Sequence, residues 1–112
     1  MSMYEKVLQS LEASTPDDYL ALLHQDYVFV RHQSREEVNK ESWTITVTGM
    51  FNAMKEGKLI WSNPRCLYEN NDILVFHNIG KFPDGTEESI IAVHFLKDGK
   101  IIRTESGATP LK

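Results

Sequence analysis

Arg31 and Arg65 sit in strand-like runs of this sequence, and a guanidinium aimed into a cavity can clamp a carboxylate or other oxyanion through two parallel N–H donors. The plainer role for either arginine is an ion pair with a nearby glutamate or a rim position with its head in water. His77, His94 and Glu105 fall on neighbouring strand-like segments, which suits a divalent metal held by two imidazoles and a carboxylate, or the polar part of an interface. Register counting sets His94 opposite Arg103. A cation there opposes a bound metal ion, so interface histidines are preferred and no metal site is expected. Tyr27, Phe29, Trp43 and Trp61 can wall a pocket for a flat apolar ligand or simply pack the core. His24 and His32 have no partner visible in the sequence. Cys66 is the single cysteine, which excludes an internal disulfide and a thiol-rich metal site; it reads as a small semi-buried strand residue. No Ser-His-Asp order, glycine-rich phosphate loop or paired-cysteine motif is present. The sequence therefore specifies no reaction and calls for no cofactor.

The elements that position these residues follow from periodicity. Met3, Val7, Leu8 and Leu11 repeat at helical spacing, giving a short amphipathic helix. Thr15-Pro16-Asp17-Asp18 supplies a capping hydroxyl, a proline for the first turn and two carboxylates by the positive helix end. A second helix is expected from about Pro16, ending at a turn over His24-Gln25-Asp26. Tyr27-Val-Phe-Val-Arg-His32 is dense in β-branched and aromatic residues and reads as the first strand, with Gln33 to Glu37 a polar connection. Trp43, Val47, Met50, Phe51 and Met54 form a helical stripe between a capping Asn39 and a terminating Gly57. The threonines at 44, 46 and 48 and Gly49 oppose that helix on propensity.

After Gly57 the pattern alternates, as in an antiparallel meander. Asn70-Asn71, Asp84-Gly85 and Asp98-Gly99 read as two-residue turns with positive φ. The tail from Gly107 is expected to leave the sheet. Counting outward from these turns pairs Leu74 with Phe95, Phe76 with Val93, Asn78 with Ile91, and Phe95 with Ile102. One face then holds Leu67, Leu74, Phe76, Val93, Phe95 and Ile102, turning polar at Asn78, Ser89, Thr104 and Ser106. A pocket is expected where it turns polar, lined by Tyr27, Phe29, Arg31, Trp43, Trp61, Arg65 and Asn78, with Asn63 nearby. The other face is too apolar for water and is expected to seat a second copy through His77, Ile79, Ile90, His94, Arg103 and Glu105.

The bulk properties set limits on partners. A chain of 112 residues that is 41% hydrophobic and 25% charged suits one domain, 1–112, with its own core. A net charge of -4 with interleaved signs leaves no basic stripe, so nucleic acid is not an expected partner. The polar N-terminus and the lack of a long apolar run point away from a signal peptide or a membrane span and toward the cytoplasm.

The order helix, helix, strand, amphipathic helix, long-stranded meander resembles the nuclear transport factor 2-like superfamily, and within it the short SnoaL-like members. The cues are Asp26-Tyr-Val-Phe-Val-Arg-His, the Asn39-to-Gly57 helix, and the hairpins ending in Phe95-Leu-Lys-Asp-Gly-Lys-Ile. The resemblance implies a cone-shaped, cystatin-like α+β fold: helices packed on the concave face of a highly curved, mixed but mostly antiparallel sheet. It also implies a cavity mouthed by the helices and dimers through the outer sheet face. Members include isomerases, dehydratases, cyclases and non-catalytic binding modules. The ketosteroid isomerases of that group carry a carboxylate base on the first strand after the second helix. Arg31 stands there in this chain, and an arginine stays protonated and cannot take a proton. Asp26 and Glu36, both read as turn residues, are the nearby carboxylates. The expected function is binding of a small, partly apolar and anionic molecule by a homodimer. An isomerase, dehydratase or cyclase acting on a hydrophobic carbonyl compound, and a pure interaction module, are the alternatives.

Overall fold

The computed structural model describes all residues from Met1 to Lys112. Helix α1 spans Met3–Glu12, α2 Asp17–Ala21 and α3 Lys40–Lys55. The strands are β1 Leu23–Arg31, β2 Glu37–Asn39, β3 Ile60–Glu69, β4 Ile73–Lys81, β5 Glu87–Lys97 and β6 Lys100–Pro110. They form one sheet in the order β2-β1-β6-β5-β4-β3, antiparallel except where β1 runs parallel to β6. No helix is long and apolar enough to cross a membrane.

Local chemistry explains the helices. Ser2 and Glu5 form a reciprocal capping box at the start of α1, satisfying two backbone donors. Asn39 accepts from the Ser42 backbone N–H at 2.9 Å and so opens α3. The threonines tolerated inside α3 return their hydroxyls to carbonyls one turn back, Thr44 to Lys40 at 2.7 Å and Thr48 to Thr44 at 2.8 Å. Trp43, Val47 and Phe51 form the buried stripe of α3, packed with Met3 and Val7 of α1 and with Leu23, Tyr27, Phe29, Leu74, Phe76 and Ile101 of the sheet. Trp43 stacks on Phe29 with ring centroids 3.8 Å apart and planes 7° from parallel.

Several expectations are corrected here. Helix α2 is shorter than its sequence suggests: Pro16 is its N-cap with no side-chain hydrogen bond, and the strand that follows already begins at Leu23. Leu23 pairs with Ile101, and the pairing shifts before Val28, so His24-Gln25-Asp26 lies within an irregular stretch of β1. The short strand β2 begins at Glu37, the last residue of the segment read as a polar connection, and runs to the capping Asn39. The tail stays in the sheet, with Ser89 pairing Thr109 and Glu88 pairing Pro110. Cys66 is exposed, not semi-buried. Asn70-Asn71 adopts no positive φ; instead the Asn70 Oδ1 accepts from the backbone N–H groups of Asp72 and Ile73 at 2.8 Å each.

The largest correction concerns register. The β4–β5 connection is a three-residue loop, Pro83-Asp84-Gly85, closed by Phe82 N–H to Thr86 O and Gly85 N–H to Phe82 O, both 2.9 Å, with Gly85 at φ 87°. Pro83 suits the first central position of a type I turn, which makes Gly85 the left-handed bulge residue rather than half of a two-residue turn. One residue of difference moves the β5 set to the other side. Leu74 thus faces His94, Phe76 faces Ala92 and Asn78 faces Ile90, while Val93, Phe95 and Ser89 lie on the outer face.

Three bulges complete the geometry. Asp98-Gly99 does form the expected tight turn, with φ of 54° and 74°. Beyond it the register shifts between Phe95 and Leu96, so Ile101 pairs with Leu96, Arg103 with Phe95 and Ile102 with neither. Asn63, at φ 52°, marks a shift between Ser62 and Arg65 that rotates Arg65 to the outer face. Leu67 is the extra residue of the shift between Cys66 and Tyr68, and is 44% exposed instead of flooring the core.

Candidate functional site

The curved sheet and α3 enclose a cavity of about 560 Å³, within the usual range for small-molecule sites. Its walls are largely apolar: Val7 and Leu11 from α1, Trp43, Val47, Met50 and Met54 from α3, and Phe29, Phe76, Ile90 and Ala92 from the sheet. Its polar members lie at inward-facing strand positions, that of His94 set by the three-residue loop. Asn78 on β4, His94 on β5 and Thr104 on β6 all line it, and Asn78 and His94 are each only 6% exposed. Arg31, which is exposed, and Glu88, which is half-buried, also line the cavity, as do Phe82 and Pro83.

Trp61 owes its position to a glycine. Gly80 pairs with Trp61 across β3 and β4, and a Cβ at Gly80 would come within 2.7 Å of Trp61 Cζ3, so only glycine leaves room for the indole. Phe82 meets the same ring edge-on at 6.2 Å. The indole Nε1 is buried without a partner, an unused donor in the cavity wall. Trp61 and Asn78 also border a second recess of about 370 Å³ beneath α1.

Beneath the cavity lies a line of polar groups. Trp43 Nε1–H donates to Tyr19 Oη at 3.2 Å, and His94 Nδ1 meets Thr104 Oγ1 at 2.8 Å. The Tyr27 hydroxyl is buried between these pairs without strict hydrogen-bond geometry to either, yet the Tyr19 and Thr104 hydroxyls are near enough to bias its ionisation. Burial raises the pKa of both tyrosines, so they are neutral hydroxyls at any ordinary pH. Burial alone, with no charged neighbour, lowers the His94 pKa from 6.5 to about 4, and its ring is neutral at pH 7.

Of the side chains read as pocket residues, Phe29, Arg31, Trp43, Trp61 and Asn78 line the cavity. Tyr27 sits below it in the core. Arg65 is on the outer face, where its Nε donates to His77 Nδ1 at 3.1 Å. Arg31 makes no salt bridge; its guanidinium carbon lies 5.3 Å from the centre of the Phe29 ring. Of the residues read as an outer interface, His77, Ile79, Arg103 and Glu105 share the outer face, but Ile90 and His94 turn inward to the cavity. His94 therefore lies across the sheet from His77 and Glu105, and the three cannot converge on one metal ion. Arg103 faces carboxylates, with Glu105 at 2.9 Å and Glu37 at 3.6 Å, and its hydrogen bond holds Glu105 below the usual carboxylate range. Asp26 is an exposed residue of β1 and Glu36 an exposed connection residue, so neither offers a base to the cavity. The site residue missed from sequence is His94. Pro83 was the signal, since a proline beside Asp-Gly favours the odd-length turn that reverses β5.

No protein-family model matches the sequence, and no curated protein matches it. The architecture is that of the nuclear transport factor 2-like proteins, the SnoaL-like and ketosteroid isomerase-like folds among them. A nuclear transport factor 2-like protein of unknown function from Cytophaga hutchinsonii superposes with a TM-score of 0.72 at 14% identity, covering 95% of this chain and 96% of that one. A putative ketosteroid isomerase from Kribbella flavida gives 0.71 at 14% identity, over 96% and 76%. IdmH, a putative polyketide cyclase from Streptomyces antibioticus, gives 0.67 at 10% identity, over 93% and 87%. At such identities the likeness concerns the fold.

Proposed function

We propose that this protein binds a small, mainly apolar molecule in the cavity, with an anionic group of the ligand at Arg31. The observation that carries this reading is a cavity of about 560 Å³ with apolar walls, a few inward polar groups and one exposed arginine in its lining without an ion-pair partner. The probe is 2-naphthoate, a flat apolar body with one carboxylate, followed by titration calorimetry. Binding is expected in the micromolar to sub-millimolar range, about tenfold weaker in Arg31→Leu and lost in Ala92→Leu, whose added bulk occupies the cavity. Equal binding by wild type and a folded Ala92→Leu variant places the ligand elsewhere and ends the proposal.

Acid–base catalysis on a hydrophobic carbonyl compound is the second reading, and His94 is the observation in its favour. It is a buried ionisable group lining the cavity, which such chemistry requires. A pKa of about 4 makes it a weak base at neutral pH, so binding remains the preferred reading.

The outer face supports a homodimer. It carries Ile73, Val75, Ile79, Val93 and Phe95, all half-buried, and Ile91, 45% exposed, with no helix covering them. A twofold along β5 sets the β4 side of one copy against the β6 side of the other. Sedimentation equilibrium at micromolar concentration is expected to give twice the chain mass, and Val93→Lys to give the chain mass. A monomeric wild type contradicts the dimer.

A further inference from the structure

Two side chains of opposite charge line the cavity, Arg31 and Glu88, and neither makes an ion pair with any group of the chain. They are also set apart from each other. Arg31 pairs with Ser106 and Ser106 with Ala92, whereas Glu88 pairs with Pro110, further along the same two strands. At ordinary strand spacing the two backbones lie about 10 Å apart across the sheet and about 13 Å along it. The Arg31 guanidinium rests over Phe29 instead. Glu88 is half-buried, and its cross-strand neighbours are Gly80 on β4 and Pro110 on β6, neither of which has a side-chain donor. A carboxylate so placed gains from a cation that a ligand brings.

The surroundings of Glu88 select the kind of cation. Trp61, Gly80 and Glu88 lie in line across β3, β4 and β5. Because Gly80 has no side chain, the rings of Trp61 and Phe82 close over it, 2.7 Å and 3.2 Å from where a Cβ would stand. They meet edge-on at 6.2 Å, and both line the cavity with Glu88. Aromatic surface beside a carboxylate suits a methylated ammonium, which has no N–H to satisfy and is attracted by the ring quadrupoles as well as by the charge. We infer that Glu88, Trp61 and Phe82 form a subsite for a quaternary ammonium group, so that the ligand is amphoteric, with an anion at Arg31 and a methylated cation at Glu88. The inference rests on the cavity-binding reading above and adds the second charge.

The test compares 6-(trimethylammoniomethyl)-2-naphthoate with 6-neopentyl-2-naphthoate, in which a carbon replaces the charged nitrogen, by titration calorimetry on the whole protein. Wild type is expected to bind the ammonium compound about five- to tenfold more tightly, and Glu88→Gln to bring the ratio to about one. Phe82→Leu is expected to lower the ratio without abolishing it, and it decides the matter should Glu88→Gln not fold. Arg31→Leu is expected to weaken both compounds alike and to leave their ratio unchanged. A wild-type ratio near one with both compounds bound, or a ratio that survives in folded Glu88→Gln, overturns the inference and leaves the cavity reading intact. If neither compound binds and 2-naphthoate does not bind either, the cavity reading fails and the inference with it.

Discussion

Unfolding free energy is expected to fall by roughly 3 kcal/mol as the pH is lowered from above 6.5 to about 4, through His94 alone. The sign follows from proton uptake. The folded ring is held neutral down to about pH 4, whereas the unfolded ring charges near 6.5, so within that window the unfolded chain binds more protons and acid favours it. The stability is fully present above 6.5 and is lost progressively toward 4; below that both states are protonated. No charge opposes this. The ring's neighbours include Thr104 on β6 and Phe76, at 6.5 Å, on β4, with Leu74 facing it across the strands, and burial is the only cause of its shift. Arg31 and Glu88 also line the cavity. Urea denaturation of wild type and His94→Gln between pH 4.5 and 7.5 isolates the effect, because the three other histidines are common to both proteins. Parallel curves of stability against pH would show that the ring charges freely in the fold.

Trp43→Ala is expected to cost about 3–5 kcal/mol, enough to leave a marginal domain largely unfolded at room temperature. The indole does three jobs. It fills the buried stripe of α3, stacks on Phe29 at 3.8 Å and donates to Tyr19 at 3.2 Å. Trp43→Phe separates them: the stacked ring stays, the Nε1–H is lost, and the expected cost drops to about 1–2 kcal/mol. Chemical denaturation of both variants measures the difference. A loss below about 1 kcal/mol for the alanine variant would mean that the stacked pair is not part of the cooperative core.

How much was legible depended on which interaction decided each element. The α3 stripe of Trp43, Val47 and Phe51, with Asn39 before it and Gly57 after, is a local pattern, and the helix formed despite its threonines because their hydroxyls find carbonyls one turn back. Phe29, Trp43, Trp61 and Asn78 could be assigned to a shared cavity because periodicity carries each to the concave side. Arg65 could not, since a single left-handed residue, Asn63, rotates the strand between Trp61 and Arg65. His94 and Ile90 changed sides for a similar reason, as the Pro83-Asp84-Gly85 loop differs by one residue from the turn that its Asp-Gly suggests. In a β-strand, whose side chains alternate with period two, any odd error transfers every residue to the opposite face.

Composition and hydrophobic spacing by themselves determined the α+β class, the three helices and the meander, because all of these are set by residues near one another in sequence; the apolar inner face was legible only in part, since Leu74 and Phe76 stay on it while Val93 and Phe95 leave it. Only the tertiary structure decided that β1 joins β6 in parallel, that the tail from Gly107 remains paired as far as Pro110, and that a neutral histidine stands inside the cavity. These depend on pairing between distant segments and on the bulges that shift its register. The side chain that gives the cavity its inner polarity, His94, was visible from the start; its side of the sheet was not.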